Sequence, residues 1–469
     1  MPRHLFLSAI LIGAGLLPTS IAQELRAGAA TSNITPWLGL PINGSMSPIE
    51  SKHVHDELHV RCLVIDDGST KFAFAVCDSC AVPRSIVEDA KQQIQKQTGI
   101  PADCVLISAT HSHSAGSMTE AFQSPTDLDY QKFVANRIAD GVRRALNNLE
   151  PARIGWATAN APEHLNNRRW KMKEGTIPPS PFGTVDHVRM NPQPGSPDLV
   201  EPAGPVDPQL SLIWAESHDG RKIALLANYG LHYVGGVGPG HLSADYYGYF
   251  AKAIAQRLNA EATEPPFVGI MSNGTSGDVN NINFRTPQPG LPPYEKIKQV
   301  ANEVAHTAFK TYGPGRGDIK ISVRAAELQL GVRKPTPEEL SRAEKIVAEA
   351  GGIQAVMQTL EQIYARETVL ISKYPDTVPV TIQALRIGDV GIVAIPCEVF
   401  AEIGLEIKAK SPLKPTFIIE LANGYNGYLP TPAQHALGGY ETWRARSSYL
   451  ETSASEKIVA TVLDLLKSL

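Results

Sequence analysis

His59–Ser79 reads HVRCLVIDDGSTKFAFAVCDS. Two apolar runs, HVRCLVIDD and KFAFAVCDS, meet at the polar reversal DDGST, which predicts an antiparallel hairpin. Neither run alternates apolar and polar residues as a half-solvated strand does, so both belong in a sheet covered on its two faces. The same β-branched and aromatic character recurs in CVLISA, ARIGWATA, LSLIWAE, KIALLANY, FVGIMSN, VTIQALRI and VGIVAIP, and SHDGRK predicts a second hairpin. Between these runs, SIVEDAKQQIQKQTG and YQKFVANRIADGVRRAL repeat apolar residues at helical spacing. The expected fold is therefore α/β, with helices packed on mixed β-sheets.

Outward from this frame, Lys171 to Pro208 is rich in Pro and Gly and has no sustained period, which predicts a long loop. PTPEELSRAEKIVAEAGG opens a helical pair on the surface, and no internal repeat is visible. With 469 residues, 43% of them hydrophobic, the chain can bury one large core or two smaller ones. Its 43 Lys and Arg against 47 Asp and Glu give a net charge of -4 without a basic block, which excludes nucleic acid as the expected partner.

The first residues combine a basic Arg3, an apolar run from Leu5 to Leu17, and the small residues Ser20 and Ala22. This is the pattern of a secretory signal peptide over residues 1–22, cleaved after Ala22, and it predicts a secreted or periplasmic protein. The run is too short for a bilayer-spanning helix, so no transmembrane anchor is expected, and peripheral contact with a membrane stays open. Cys77 and Cys80 form a CxxC among five cysteines; in an oxidising compartment this reads as a local disulfide or two semi-buried thiols.

Chemistry concentrates where the apolar runs stop. THSHSAGS, Thr110–Ser117, follows CVLISA and carries His111 and His113 two residues apart; on a strand both would face one spot, a geometry suited to a metal. Taken alone, the pair fits a structural or surface role equally. His232 comes just past KIALLANY, where a hydrogen-bonded core histidine is the plain alternative. Glu398 follows VGIVAIP at the expected first turn of a helix, where it can complement the helix dipole or line a site at a strand's carboxyl end. Three separate strand ends thus each offer a zinc-type donor. Asp245, with Ser243, reads as a helix cap.

Five segments in one order resemble the neutral/alkaline (non-lysosomal) ceramidase family in its N-terminal catalytic region: ATHSHSAGS, LLANYGLHYVGG, NGTSGDVNNINF, IPCEVF and NGYNGYLPTP. The resemblance runs from about Ser32 to Tyr440. It implies zinc bound by His111, His232, Glu398 and Tyr428, with His113 beside them; the residues alone do not favour Tyr428 over Tyr425. It also implies a single ceramidase-like catalytic domain over residues 23–469, because the family's C-terminal immunoglobulin-like domain is missing and the chain ends in a closing helix. One position departs from the family: Asn280 stands where the signature has serine after GDV, which excludes a covalent acyl-serine route there and leaves an amide that can donate to a substrate or oxyanion.

On this resemblance the protein is a secreted zinc-dependent amidohydrolase that uses metal-activated water on an N-acyl-sphingosine or ceramide-like amide. His113 is the expected acid/base or water-orienting group, Tyr428 a ligand and oxyanion stabiliser, and Asp278 a partner that fixes a histidine tautomer. Asp278 in GD equally suits an ordinary turn. Arg168 and Trp170, in EHLNNRRWKMK, are the expected substrate contacts, while Arg169 and Lys171 read as a solvated basic loop. The polar, Pro-rich entrance loops, the missing serine and the RRW cluster keep a second expectation open, a zinc-dependent deacetylase or esterase acting on an anionic glycan, and the missing serine keeps a third, a non-catalytic, metal-stabilised binding protein.

Overall fold

The computed structural model describes residues 24–469, so the expected signal peptide lies outside the described residues. A large sheet contains β1 (Arg26–Asn33), β2 (His59–Asp66), β3 (Lys71–Cys77), β4 (Val105–Ala109), β5 (Glu150–Asn160), β6 (Gln209–Ser217), β7 (Lys222–Tyr229) and β8 (Val268–Asn273). Its order is β8-β7-β6-β5-β1-β2-β3-β4. The pairs β3–β4 and β7–β8 are parallel and the others antiparallel, with DDGST and SHDGRK closing the two expected hairpins. A second sheet runs β9 (Ile321–Gly331), β10 (Thr377–Ile387), β11 (Val390–Ile395) and β12 (Thr416–Glu420), parallel only at β11–β12.

Period-two alternation explains why the strands look apolar throughout. Val60, Cys62 and Val64 of β2 enter a core with helices α1 (Arg84–Thr98) and α2 (Leu128–Asn147), while Leu63 and Ile65 enter another shared with Leu385, Ile392, Phe417 and Ile419 of the second sheet. Farther along the large sheet, Leu225 and Met271 pack against α3 (Asp245–Arg257) and α4 (Glu295–Thr311). The expected surface pair forms α5 (Pro337–Glu349) and α6 (Leu360–Ser372), each opened by a threonine capping box. The outer face of the second sheet is covered by α7 (Ala401–Lys410) and α8 (Ala454–Lys467) through Ile403, Ile458 and Val462. The result is four layers, helix–sheet–sheet–helix, the mixed α/β architecture that the runs predict.

Two expectations change. Lys171–Pro208 is not structureless: Arg169–Met172 pairs on its two sides with Leu199–Pro202 and Val188–Met190 in a small sheet. All five cysteines are free thiols, with Cys77 and Cys80 buried, so the CxxC is the thiol alternative and not a disulfide. Among the described residues, no helix is long and apolar enough to cross a membrane.

The ends of the two sheets meet. Ala109 N–H donates to Leu421 O at 3.1 Å and Asn423 N–H to Ile107 O at 2.7 Å, joining the exit of β4 to that of β12. Loops leaving β3, β4, β7, β8, β11 and β12 therefore open around one region at strand carboxyl ends, the place where α/β sheets commonly bind ligands.

Candidate metal centre

His111 and His113 converge by a different route from the one expected. The strand ends at Ala109, and His111 adopts a left-handed backbone with φ of 77°, which non-glycine residues rarely hold away from functional sites. The turned loop brings His111 Nε2 to 3.1 Å from His113 Nε2 and 3.0 Å from His232 Nε2. Glu398 Oε2 lies 3.3 Å from His111 Nε2 and 3.9 Å from His232 Nε2.

The opposite nitrogens fix the rings. His111 Nδ1 donates to Cys80 O at 2.7 Å, His232 Nδ1 to Ser276 O at 3.0 Å, and His113 Nδ1 to Gly44 O at 3.0 Å. A carbonyl only accepts, so each Nδ1 carries its proton and, in the neutral ring, each Nε2 turns a lone pair into the cluster. Gly44, at φ of 99°, is needed for this: a Cβ there would meet the His113 ring at 2.4 Å.

The cluster calls for positive charge at its centre. Burial, then His111 and Arg168, push His113 and His232 well below their ordinary values. Burial opposes charge on His111 most strongly, but Glu398 and Cys80 together outweigh it and raise His111 well above its ordinary value. Among the described residues Glu398 Oε2 is buried without a hydrogen-bond partner, a costly state for a carboxylate oxygen unless a cation faces it. The two imidazole nitrogens of His111 and His232 and the carboxylate oxygen of Glu398 fit a zinc-type ion, with His113 beside them.

Glu398 does not sit in a helix turn. Glu398–Val399 forms a two-residue parallel ladder with Tyr428–Leu429, in which Glu398 pairs directly with Tyr428, and α7 starts only at Ala401. The helix-dipole reading is thereby displaced. Tyr428 lies beside Glu398 and accepts from Arg168 Nη2 at 3.0 Å, while Tyr425 donates to Glu398 Oε1 at 2.9 Å. The two tyrosines that the residues left undistinguished thus divide the work: Tyr425 braces the carboxylate and Tyr428 faces the guanidinium.

The basic segment is turned inward. Arg168 is buried, donating through Nε to Glu441 at 2.8 Å and through Nη1 to His232 Nε2 at 3.2 Å. That contact uses the same lone pair as an ion would, so the two are alternatives. Arg169, expected in solvent, has no exposed surface and reaches the other Glu441 oxygen at 2.6 Å. Trp170 is 4% exposed, with its indole N–H on Asn167 O at 3.1 Å, and its ring is not open as the substrate contact expected of it. Lys171 alone keeps the solvated role, paired with Glu201 at the surface.

Asp278 touches none of the histidines through a hydrogen bond. Its oxygens accept from Ala401 N–H at 2.8 Å and Asn167 Nδ2 at 2.7 Å, capping the start of α7 and holding the Arg168 segment; burial pushes its carboxyl up to about 6 against these bonds. The backbone carbonyls do the orienting work expected of it. Asn280 is also outside the cluster: its amide donates to Asn191 Oδ1 at 3.0 Å. Asp245 is the first residue of α3 and not its cap; it accepts from Tyr246 N–H and also from the amides of Val234 and Gly235, and so holds the loop that follows His232.

Four site residues escape the motif reading. Tyr233 stacks on His113 with centroids 3.7 Å apart, and Tyr440 packs edge-on to Tyr428 at 5.8 Å. Glu441 neutralises the two arginines. Glu420, pushed up to about 8 by burial, accepts from Ser276 Oγ at 2.6 Å, Ser276 N–H, Asn273 and Val399 N–H, tying the His232 and Glu398 loops together. A lone glutamate ending an apolar pentapeptide, TFIIE, is the one sequence signal that could have flagged it.

A histidine and carboxylate centre at strand carboxyl ends of a layered α/β frame defines a candidate divalent-metal site of hydrolytic type. A sequence model of the family Neutral/alkaline non-lysosomal ceramidase, N-terminal, matches residues 44–329, more than half of the chain. The chain belongs to that family, which supports a ceramide-type hydrolase. In three dimensions it is similar to neutral ceramidase from Pseudomonas aeruginosa, with a TM-score of 0.69 and 16% identity over 95% of this chain and 74% of that one. It is equally similar to a ceramidase complexed with C2, with a TM-score of 0.69 and 15% identity over 95% and 75% of the two chains. At such identities the likeness establishes the shared fold.

Proposed function

We propose that this chain is an exported, zinc-dependent hydrolase that cleaves the amide bond of an N-acyl-sphingosine-type lipid with water. The observation that carries the reading is the meeting of His111, His232 and Glu398, with the unpartnered Glu398 Oε2, in a member of a ceramidase family. A zinc ion held there supplies a Lewis acid for a carbonyl oxygen and acidifies a water to a pKa of roughly 7.

His113 has the geometry of a proton carrier: Nδ1 is committed to Gly44 O, and Nε2 opens on the cluster. Tyr428 and Arg168, joined at 3.0 Å, are the donors available to an oxyanion. Asn280, engaged with Asn191, supports direct attack by water over an acyl-enzyme route. The interior placement of Arg169 and Trp170 removes the basic, aromatic cluster as a ground for the glycan alternative, which then rests on the missing serine and the polar entrance loops.

The test combines metal analysis with hydrolysis of N-acyl lipids and of acetylated or charged glycans. Fatty-acid release that chelation abolishes and zinc restores is expected, and Glu398→Gln should lose zinc and activity together. Zinc bound without turnover on any substrate would replace the hydrolase reading with a binding protein.

A further inference from the structure

A second group of imidazoles lies outside this centre. His53–Val54 forms a short parallel ladder with His241–Leu242, in which His53 sits directly opposite His241. Paired residues on adjacent strands share a face, and His55, in the bend just past the ladder, is held beside them by its N–H on Leu242 O at 3.0 Å. Donor atoms of His53, His55 and His241 lie within 4.8 Å of one another, and the His53 and His241 ring centroids are 4.5 Å apart.

We propose that His53, His55 and His241 bind a second divalent transition-metal ion, of the borderline class typified by zinc, with positions left open to water. One imidazole on each strand of the ladder and a third in the bend that follows form a three-nitrogen face, the donor number of open zinc sites. Their orientation is built and not incidental. His55 stacks on the Tyr294 ring at 3.6 Å with 8° between planes, and its Nε2 meets Tyr249 Oη at 2.9 Å. His241 Nδ1 meets Tyr294 Oη, which also accepts from Gly238 N–H. Each tyrosine hydroxyl engages one ring nitrogen and leaves the opposite one for a ligand, the arrangement by which outer partners set a metal-binding tautomer.

The site has a mechanical consequence. Besides the ladder, the two segments are joined by Lys52 N–H to Gly240 O at 2.7 Å and His55 N–H to Leu242 O at 3.0 Å. Ser243, next along, donates its N–H to Ser114 O at 2.9 Å and accepts from Ser112 Oγ at 2.8 Å. Ser112 and Ser114 flank His113. An ion clamping His53 to His241 therefore braces the loop that carries His111 and His113.

The experiment is zinc stoichiometry of the purified full chain, stripped with chelator, reloaded with zinc chloride, desalted and measured by mass spectrometry. Two ions per chain are expected for the wild type and one for His53→Ala and for His53→Gln, both substitutions at an exposed position. Unchanged thermal unfolding of the metal-free variants relative to metal-free wild type identifies the loss as a lost ligand. Glu398→Gln should keep the ion at the new site and lose the other, and the double variant His53→Ala with Glu398→Gln should bind none. One ion in the wild type, retained in His53→Ala and lost in Glu398→Gln, overturns this proposal and leaves the hydrolytic centre standing. One ion lost in His53→Ala and unaffected by Glu398→Gln does the reverse.

Discussion

Glu441 is the carboxylate on which the arginine side of the site depends, and Glu441→Gln tests that dependence. Its two oxygens accept from Arg168 Nε at 2.8 Å and Arg169 Nη1 at 2.6 Å, and its side chain and that of Arg169 have no exposed surface. An amide of the same shape removes the one charge that, among the described residues, is bonded to both guanidiniums and turns one N–H toward a donor. Breaking a buried pair in this one-sided way costs about 3–5 kcal/mol. A chain this long unfolds with an entropy of roughly 1 kcal/mol/K, so the unfolding temperature should fall by about 3–5 °C if the transition is cooperative. Arg168 keeps its contacts to Tyr428 and His232 but loses its anchor, so kcat/KM should fall as well. The pH dependence carries its own sign. Burial pushes the Glu441 carboxyl up, but Arg169 and Arg168 outweigh it and hold it below the ordinary 4.5. Its contribution is then present above that value and lost as pH falls through the depressed one, so wild type and variant should converge in acid. Thermal unfolding across pH, with zinc held constant, reads the effect. A change under about 1 °C at neutral pH, on that same entropy scale, with kcat/KM intact would refute the assignment of Glu441 as the counter-ion.

Tyr425→Phe removes the donor to Glu398 Oε1 and should weaken zinc binding by about 10–100-fold in chelator competition; an unchanged affinity would leave Tyr425 without a role in the site. Asn280→Ser restores the family's residue at a position facing Asn191, so it should yield no acyl-enzyme burst in rapid-quench kinetics, and a burst would place position 280 at the reacting carbonyl. His435 is pushed down to about 3 by burial and then by Arg333 and Arg169, so the folded chain keeps it neutral while the unfolded chain protonates it. Stability should therefore decline as pH drops from 6.5 toward that value, and His435→Gln should flatten this limb; identical acid limbs in denaturant titrations would contradict it.

What could be read in advance divides along a physical line. Strands such as β2, β3 and β7 declare themselves because burial on both faces demands unbroken apolar runs, and the hairpin reversals fix their pairing. β1, central in the same sheet, does not: RAGAATSN is small and polar because α2 lies directly on it, and a Cβ on Gly28 would meet Ala145 O at 2.3 Å. Close approach of a helix selects against the residues that announce a strand. At the site, histidines and a glutamate after strand ends are visible as donors, since metal chemistry restricts residue types tightly. Their supports are not, because the orienting partners of His111, His113 and His232 are backbone carbonyls, which leave no mark in a sequence. The arginine segment misleads for a related reason. Arg169 reads as part of a solvated basic loop until one distant carboxylate, Glu441, is placed against it, and a contact across 272 positions has no local signature. Charge that looks exposed in one dimension was interior all along, and the same inversion makes Trp170 a wall and not a clamp.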